Sequence, residues 1–256
     1  MKLRKFPTLL SLCVLLPLGL PFPALAADVA RPAALAQFDA YVATCRRTIR
    51  EACALVQELA PQKTPDAAKQ AQALALVATA RTQWAEVATK YAAAPPAEYA
   101  TDTQFRARLG DIANSLEDME RALAAGQARR SLHACGFGCG LFVAMHEDNG
   151  LVYSLDRLFA LRKTAKTAAA VFKARGLPEA QRLVPVLLRQ RDEVWLAPLP
   201  WRAGDSRNTA YAAGVKALST ALDELATATT ANDADKAGAV LNGLVALING
   251  PYGTAL

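Results

Sequence analysis

Phe38, Val42, Cys45, Ile49, Ala52, Val56 and Leu59 recur at three- and four-residue steps. That spacing lays one apolar stripe along a helix, and a stripe of that kind has to be buried against other elements. No run of alternating apolar and polar residues competes with it anywhere in the chain, so the protein is predicted to be all α, built by packing helix on helix. Prolines and glycines set the breaks. In the first half, helices are predicted at about 33–60, 66–93, 103–125 and 128–147, punctuated by Pro61, Pro65 and Pro95-Pro96 and stopped at Asn149-Gly150. In the second, they are predicted at about 154–175, 178–196, 209–229 and 233–249, with Ser154 as an N-cap and Gly176, Pro198, Pro200 and Gly250-Pro251 as breaks. Pro185 is predicted to kink the sixth helix.

The N-terminus reads as a secretory signal. Lys2, Arg4 and Lys5 precede an apolar stretch from Phe6 to Leu20, and Ala24-Leu25-Ala26 is an A-x-A cleavage site. Pro7 and Pro17 within the stretch and Pro21 and Pro23 just after it make it a cleaved signal rather than an anchor. The mature chain is then exported, periplasmic or secreted, without a membrane span. Of the formal charge of +6, three units belong to the signal. The remainder is too mild to argue for nucleic acid.

The two halves align without a gap at an offset of 106 residues: Leu116-Glu117-Asp118-Met119 falls on Leu222-Asp223-Glu224-Leu225, and Gly126-Gln127-Ala128 on Asn232-Asp233-Ala234. This suggests tandem four-helix units, with a signal at 1–26, a first bundle at 27–148 that holds the mature cysteines, and a second at 149–256.

Cys45, Cys53, Cys135 and Cys139 remain after cleavage. An even cysteine set in an exported chain points to disulfides. Cys45 and Cys53 lie ~12 Å apart along one helical face at 1.5 Å per residue. If Gly136, Gly138 and Gly140 open the fourth helix, the extended step from Cys135 to Cys139 covers ~13 Å and matches that spacing. First and fourth helices of an up-down bundle are antiparallel neighbours, so the pairing that follows is Cys53–Cys135 with Cys45–Cys139. If the segment were helical, its cysteines would lie only ~6 Å apart and the two bridges would not register. One bridge with the other two thiols free is the nearest variant of that arrangement. The alternative is a copper(I) or zinc site built from Cys135, Cys139, Cys45 and Cys53, with His133, Met145 and His146 nearby in sequence.

The stretch from Phe105 to Phe142, with Gly126 at the turn and paired cysteines in the fourth helix, resembles the last two helices of the cytochrome c′ and c556 class of four-helix bundles. That resemblance implies a haem-binding electron carrier. The haem motif departs from the family pattern: three residues separate the thiols instead of two, and Gly140 stands where the ligand histidine belongs. His146 and Met145 are the residues left to ligate a non-covalent haem. Hydrolase signatures, a Gly-rich phosphate loop and a C-x-x-C redox motif are absent from the sequence. Arg46-Arg47 and Arg129-Arg130 read as solvated faces, His146 as a partly buried, hydrogen-bonded residue, and Trp84, Trp195 and Trp201 as core or loop anchors. The expectation is a non-enzymatic exported bundle, stapled by disulfides, that binds a periplasmic partner or small ligand, with haem or copper carriage as the alternative.

Overall fold

The computed structural model describes residues 31–256, so the signal expected at 1–26 lies outside the described residues. The described chain is helical, with no strand. The first half holds α1 (Ala33–Leu59), α2 (Ala67–Tyr91), α3 (Phe105–Ala124) and α4 (Ala128–Glu147), with a 3-10 turn at Ala97–Tyr99. The second holds α5 (Ser154–Arg175), α6 (Leu177–Gln181), α7 (Val184–Leu196), α8 (Arg207–Thr230) and α9 (Ala234–Thr254). None of these helices is long and apolar enough to cross a membrane.

Each of the first four helices packs on two others, α1 on α2 and α4, and α3 likewise on α2 and α4. The second half repeats that order, with α5 against α7 and α9 and α8 against α7 and α9. Two cores follow from the stripes. The first is aromatic: Phe38, Tyr91, Tyr99 and Phe105 meet edge-on or tilted, and Trp84 stands edge-on to Phe142 with ring centroids 5.2 Å apart. Trp84 also donates its indole N–H to Leu109 O at 2.8 Å, so its one polar atom is satisfied inside the core. The second core is leucine-rich, around Leu158, Leu161, Leu187, Leu218, Leu222 and Leu244.

The turns that align at the 106-residue offset share one backbone geometry. Gly126 and Asn232 both adopt positive φ, at 71° and 54°. Gln127 N–H bonds back to Ala122 O, and Asp233 N–H to Ala228 O. Both helix ends therefore close with the same left-handed cap, which glycine and asparagine tolerate best.

Four expectations need correction. Pro185 breaks the sixth helix outright into α6 and α7 rather than kinking it, because it sits within the first turn of α7, where its missing N–H costs nothing. Gly250-Pro251 does not end α9, which runs through to Thr254. Pro251 is buried, and Gly214 of α8 makes room for its ring: a Cβ there would stand 3.0 Å from Pro251 Cδ. Ser154 is the first residue of α5 rather than its cap, a place taken by Tyr153. Lastly, Gly136, Gly138 and Gly140 do not open α4, which is continuous from Ala128 to Glu147. Tertiary packing overrides the glycine penalty of about 1 kcal/mol each. Gly138 faces α3 so closely that a Cβ would sit 2.6 Å from Ser115 Oγ, a hydroxyl that donates to Ala134 O.

This contact makes a prediction. Gly138→Ala is expected to destabilise by about 1–3 kcal/mol despite its gain in helix propensity, because the hydroxyl must leave its acceptor. Adding Ser115→Ala is expected to recover most of that loss. Gly136→Ala, where a Cβ meets nothing within 4 Å, is expected to stabilise by up to about 1 kcal/mol. Urea titrations of the three variants and the parent give the comparison, and equal costs at 136 and 138 would contradict the close approach.

Candidate functional site: a buried arginine–aspartate–histidine network

Continuity of α4 decides what the cysteines do. Cys53 and Cys135 are disulfide-bonded, with Cα atoms 6.9 Å apart. Cys45 and Cys139 are free, so the expected Cys45–Cys139 bridge is not formed. The reason is register. Moving from the existing bridge, Cys45 lies ~12 Å back along α1 while Cys139 lies only ~6 Å on along α4. Cys45 instead directs its sulfur to Ala80 O of α2 at 3.4 Å. Burial pushes its thiol up to about 12, and burial raises Cys139 as well. In the absence of a metal both are therefore protonated thiols at neutral pH. The metal set of Cys135, Cys139, Cys45 and Cys53 is thus not brought together, since two of its members are bonded to each other. Among the described residues no group of three or more histidine, cysteine or acidic side chains converges.

Met145 and His146, the sequence candidates for haem ligation, are both buried but face different surroundings. Met145 lies wholly inside the first core. His146, on the last turn of α4, reaches across to α5, where its Nδ1 lies 2.5 Å from Asp156 Oδ2. Gly150, at φ 68°, turns the chain sharply between the two helices and makes that approach possible. Arg46, from the middle of α1, closes the group by donating from Nη2 to Asp156 Oδ1 at 3.2 Å. The Arg46 guanidinium also lies over the Phe142 ring, 5.2 Å from its centroid. All three members are nearly sealed from solvent, at 6% exposure for Arg46, 2% for His146 and 3% for Asp156.

A second polar group adjoins the first. Tyr153, in the connection between α4 and α5, stacks on His146 with ring centroids 4.2 Å apart. Its hydroxyl donates to the Asp39 carboxylate of α1 at 2.9 Å, and Arg31 pairs with the same carboxylate at 2.8 Å. Tyr99 places its hydroxyl near Tyr153 without a well-directed bond. Three elements of the first half and the start of the second therefore meet here.

The electrostatics follow from the contacts. Burial alone would raise the Asp156 carboxyl, but Arg46 and His146 more than offset it and hold the group below the usual carboxylate range. Burial also works to lower Arg46, and Asp156 outweighs it, so the guanidinium stays charged. Asp39 goes the other way: burial raises it, and the opposing pull of Arg31 and Tyr153 is too small to compensate. The other ring nitrogen, His146 Nε2, is buried and has no hydrogen-bond partner among the described residues.

An aspartate that orients an imidazole is half of an acid–base site. The other half, a nucleophile or substrate held at Nε2 with access from solvent, is not assembled around it. The arrangement pins the two halves together. Neighbouring contacts extend the seam: Arg47 donates to Leu256 O at 2.7 Å, and the Arg50 and Arg162 guanidiniums lie over the Tyr252 ring at 5.3 and 4.9 Å.

His146 was expected to be partly buried and hydrogen-bonded; it is hydrogen-bonded but fully buried, and its partners were missed. Arg46 was expected on a solvated face. Its position carried the missing signal: it lies four residues after Val42 and three before Ile49, within the buried stripe of α1. Asp156 was noted only as a charge on the fifth helix with a partner other than Arg162, and nothing in the local sequence marked Tyr153 or Asp39. No protein-family model, curated protein or solved structure matches this chain.

Proposed function

We propose that the protein is an exported, non-enzymatic pair of tandem four-helix bundles on a cytochrome c′-like layout, stapled by Cys53–Cys135 and acting by binding a partner protein. The chemistry-bearing side chains support this reading because they are spent on internal contacts: the buried network joins the halves, Cys45 lies inside the first core and Cys139 packs against it. The observation that carries the reading is an apolar ledge at the end of α7. Leu196 is 82% exposed and Trp195 42%, and Pro198, Leu199 and Pro200 follow after the buried Ala197.

The ledge is held rather than loose. Trp195 donates its indole N–H to Ser219 Oγ of α8 at 3.2 Å, and Trp201 donates to Thr254 O of α9 at 2.8 Å. Arg207 stacks on the Trp201 ring, 3.4 Å from its centroid. A rigid tryptophan and leucine in the open, next to a stacked arginine, are the residue types that anchor protein interfaces.

The test is a photo-reactive amino acid placed at 196 in the native compartment. A discrete adduct is expected there and not at a remote exposed position such as Gln72. Trp195→Ala, with unchanged helicity, is expected to reduce the adduct at least several-fold. Identical patterns at 196 and 72 would remove the ledge from consideration. A visible spectrum and metal analysis of protein purified from that compartment decide the competing reading, since a Soret band or stoichiometric copper would replace partner binding with cofactor carriage.

A further inference from the structure

The charges of α4 oppose the helix that carries them. Arg129 and Arg130 occupy its first turn, and no acid stands there. Glu147 and Asp148 close its other end. A helix prefers the reverse, because its N-terminus carries partial positive charge and its C-terminus partial negative charge. Glu147 pairs with Arg157, Asp148 with Arg108, and Arg129 donates to Ala60 O. Arg130 makes no ion pair among the described residues and is exposed. Between these ends the outer face of α4 is apolar apart from the exposed His133. Phe137 is 61% exposed, and Ala134, Leu141 and Ala144 flank it half-buried at helical spacing.

We propose that the protein self-associates through this face. Two copies pack their α4 helices antiparallel, so that Phe137 of each meets Leu141 of the other, and Arg130 of each pairs with Asp148 of the other. The positions satisfy one two-fold axis. Arg130 and Asp148 are equidistant from residue 139, as are Ala134 and Ala144, and Phe137 and Leu141 lie two residues either side of it. At 100° per residue, Arg130, Phe137, Leu141, Ala144 and Asp148 all fall within ~40° of one line along the helix. The charge arrangement that is unfavourable in one helix becomes complementary when two such helices meet head to tail, as an isologous contact requires. Asp148 then lies between Arg108 of its own chain and Arg130 of the second copy.

The strip from 130 to 148 is ~27 Å long, and at a width of ~10 Å it covers about 300 Å² per copy. A standard interface buries about 800 Å² per partner, so the dimer is weak, and it is salt-sensitive because its end contacts are exposed ion pairs.

Sedimentation velocity from micromolar to millimolar concentration is expected to show a reversible monomer–dimer equilibrium, weakened several-fold by high salt and abolished by Phe137→Glu. Arg130→Asp alone places like charges at both ends and is expected to stay monomeric, as is Asp148→Arg alone. Mixed together, the two variants are opposite in charge at both ends and are expected to form a heterodimer. Both substitutions place the charge that α4 itself prefers at each end, so circular dichroism is expected to remain that of the parent. A chain that stays monomeric at millimolar concentration overturns the proposal. So does a dimer indifferent to all three substitutions, or two monomeric variants that fail to associate on mixing.

Discussion

Asp156→Ala is expected to destabilise the protein by about 3–5 kcal/mol, the range for breaking one side of a buried ion pair. The cost comes less from the lost attraction than from what stays behind. Arg46 remains charged at 6% exposure with its carboxylate gone, and His146 Nδ1 loses its acceptor in the same step. Replacing both charged partners with apolar residues of similar size, Arg46→Met with Asp156→Leu, is expected to recover most of the loss, because no buried charge is then stranded. Urea unfolding of the two single variants and the double completes the cycle. A double variant as unstable as the sum of the singles would mean that the two side chains do not act as a pair.

Acid sensitivity has a predictable sign. Asp156 is held below its ordinary value, so its contribution is complete above the usual carboxylate range and is lost as the pH falls through its lower folded value. Asp39 is raised, so its ionised form costs stability at neutral pH, and protonation relieves that cost as the pH falls. The two buried aspartates therefore pull the stability profile in opposite directions. Asp156→Asn is expected to flatten the loss on the acid side, and Asp39→Asn to remove the opposing gain.

Helix boundaries were legible because prolines, glycines and apolar spacing all act locally, and the predicted ranges match the observed helices to within two residues except for the sixth, split before Pro185, and the end of the last, which runs on to Thr254. What failed was long-range. Pro251 stays inside α9 because Gly214, 37 residues away, leaves space for its ring. The glycines of α4 stay helical because α3 packs against Gly138. Arg46 was read by its polarity rather than its position, since the carboxylate that permits its burial lies 110 residues along the chain. A buried charge can be inferred from a stripe only when its partner is known, and in this chain the partner belongs to the other half. The cysteines show the same division. Cys53–Cys135 was legible from the antiparallel neighbourhood of the first and fourth helices, whereas the second pairing depended on a break in α4 that tertiary contact prevents.

Removing the bridge is the second large effect expected. Cys53 and Cys135 are 82 residues apart, and constraining a loop of that length lowers the entropy of the unfolded chain by the equivalent of about 4–5 kcal/mol at room temperature, less any strain in the folded state. The link also spans the α1–α4 seam, the least extensively packed of the four in the first half. Cys53→Ala with Cys135→Ala is therefore expected to cost about 3–5 kcal/mol, and reduced wild type is expected to match that variant. Cys53→Ala alone is expected to behave worse in refolding, because it frees Cys135 one helical turn from Cys139 and leaves three thiols in one core. Peptide mapping without reduction gives the covalent test: a single Cys53–Cys135 link with Cys45 and Cys139 alkylated only after unfolding. Recovery of a Cys45–Cys139 peptide would show that α4 opens at its glycines after all. Four alkylatable thiols in protein from an oxidising compartment would return the cysteines to a metal-binding role.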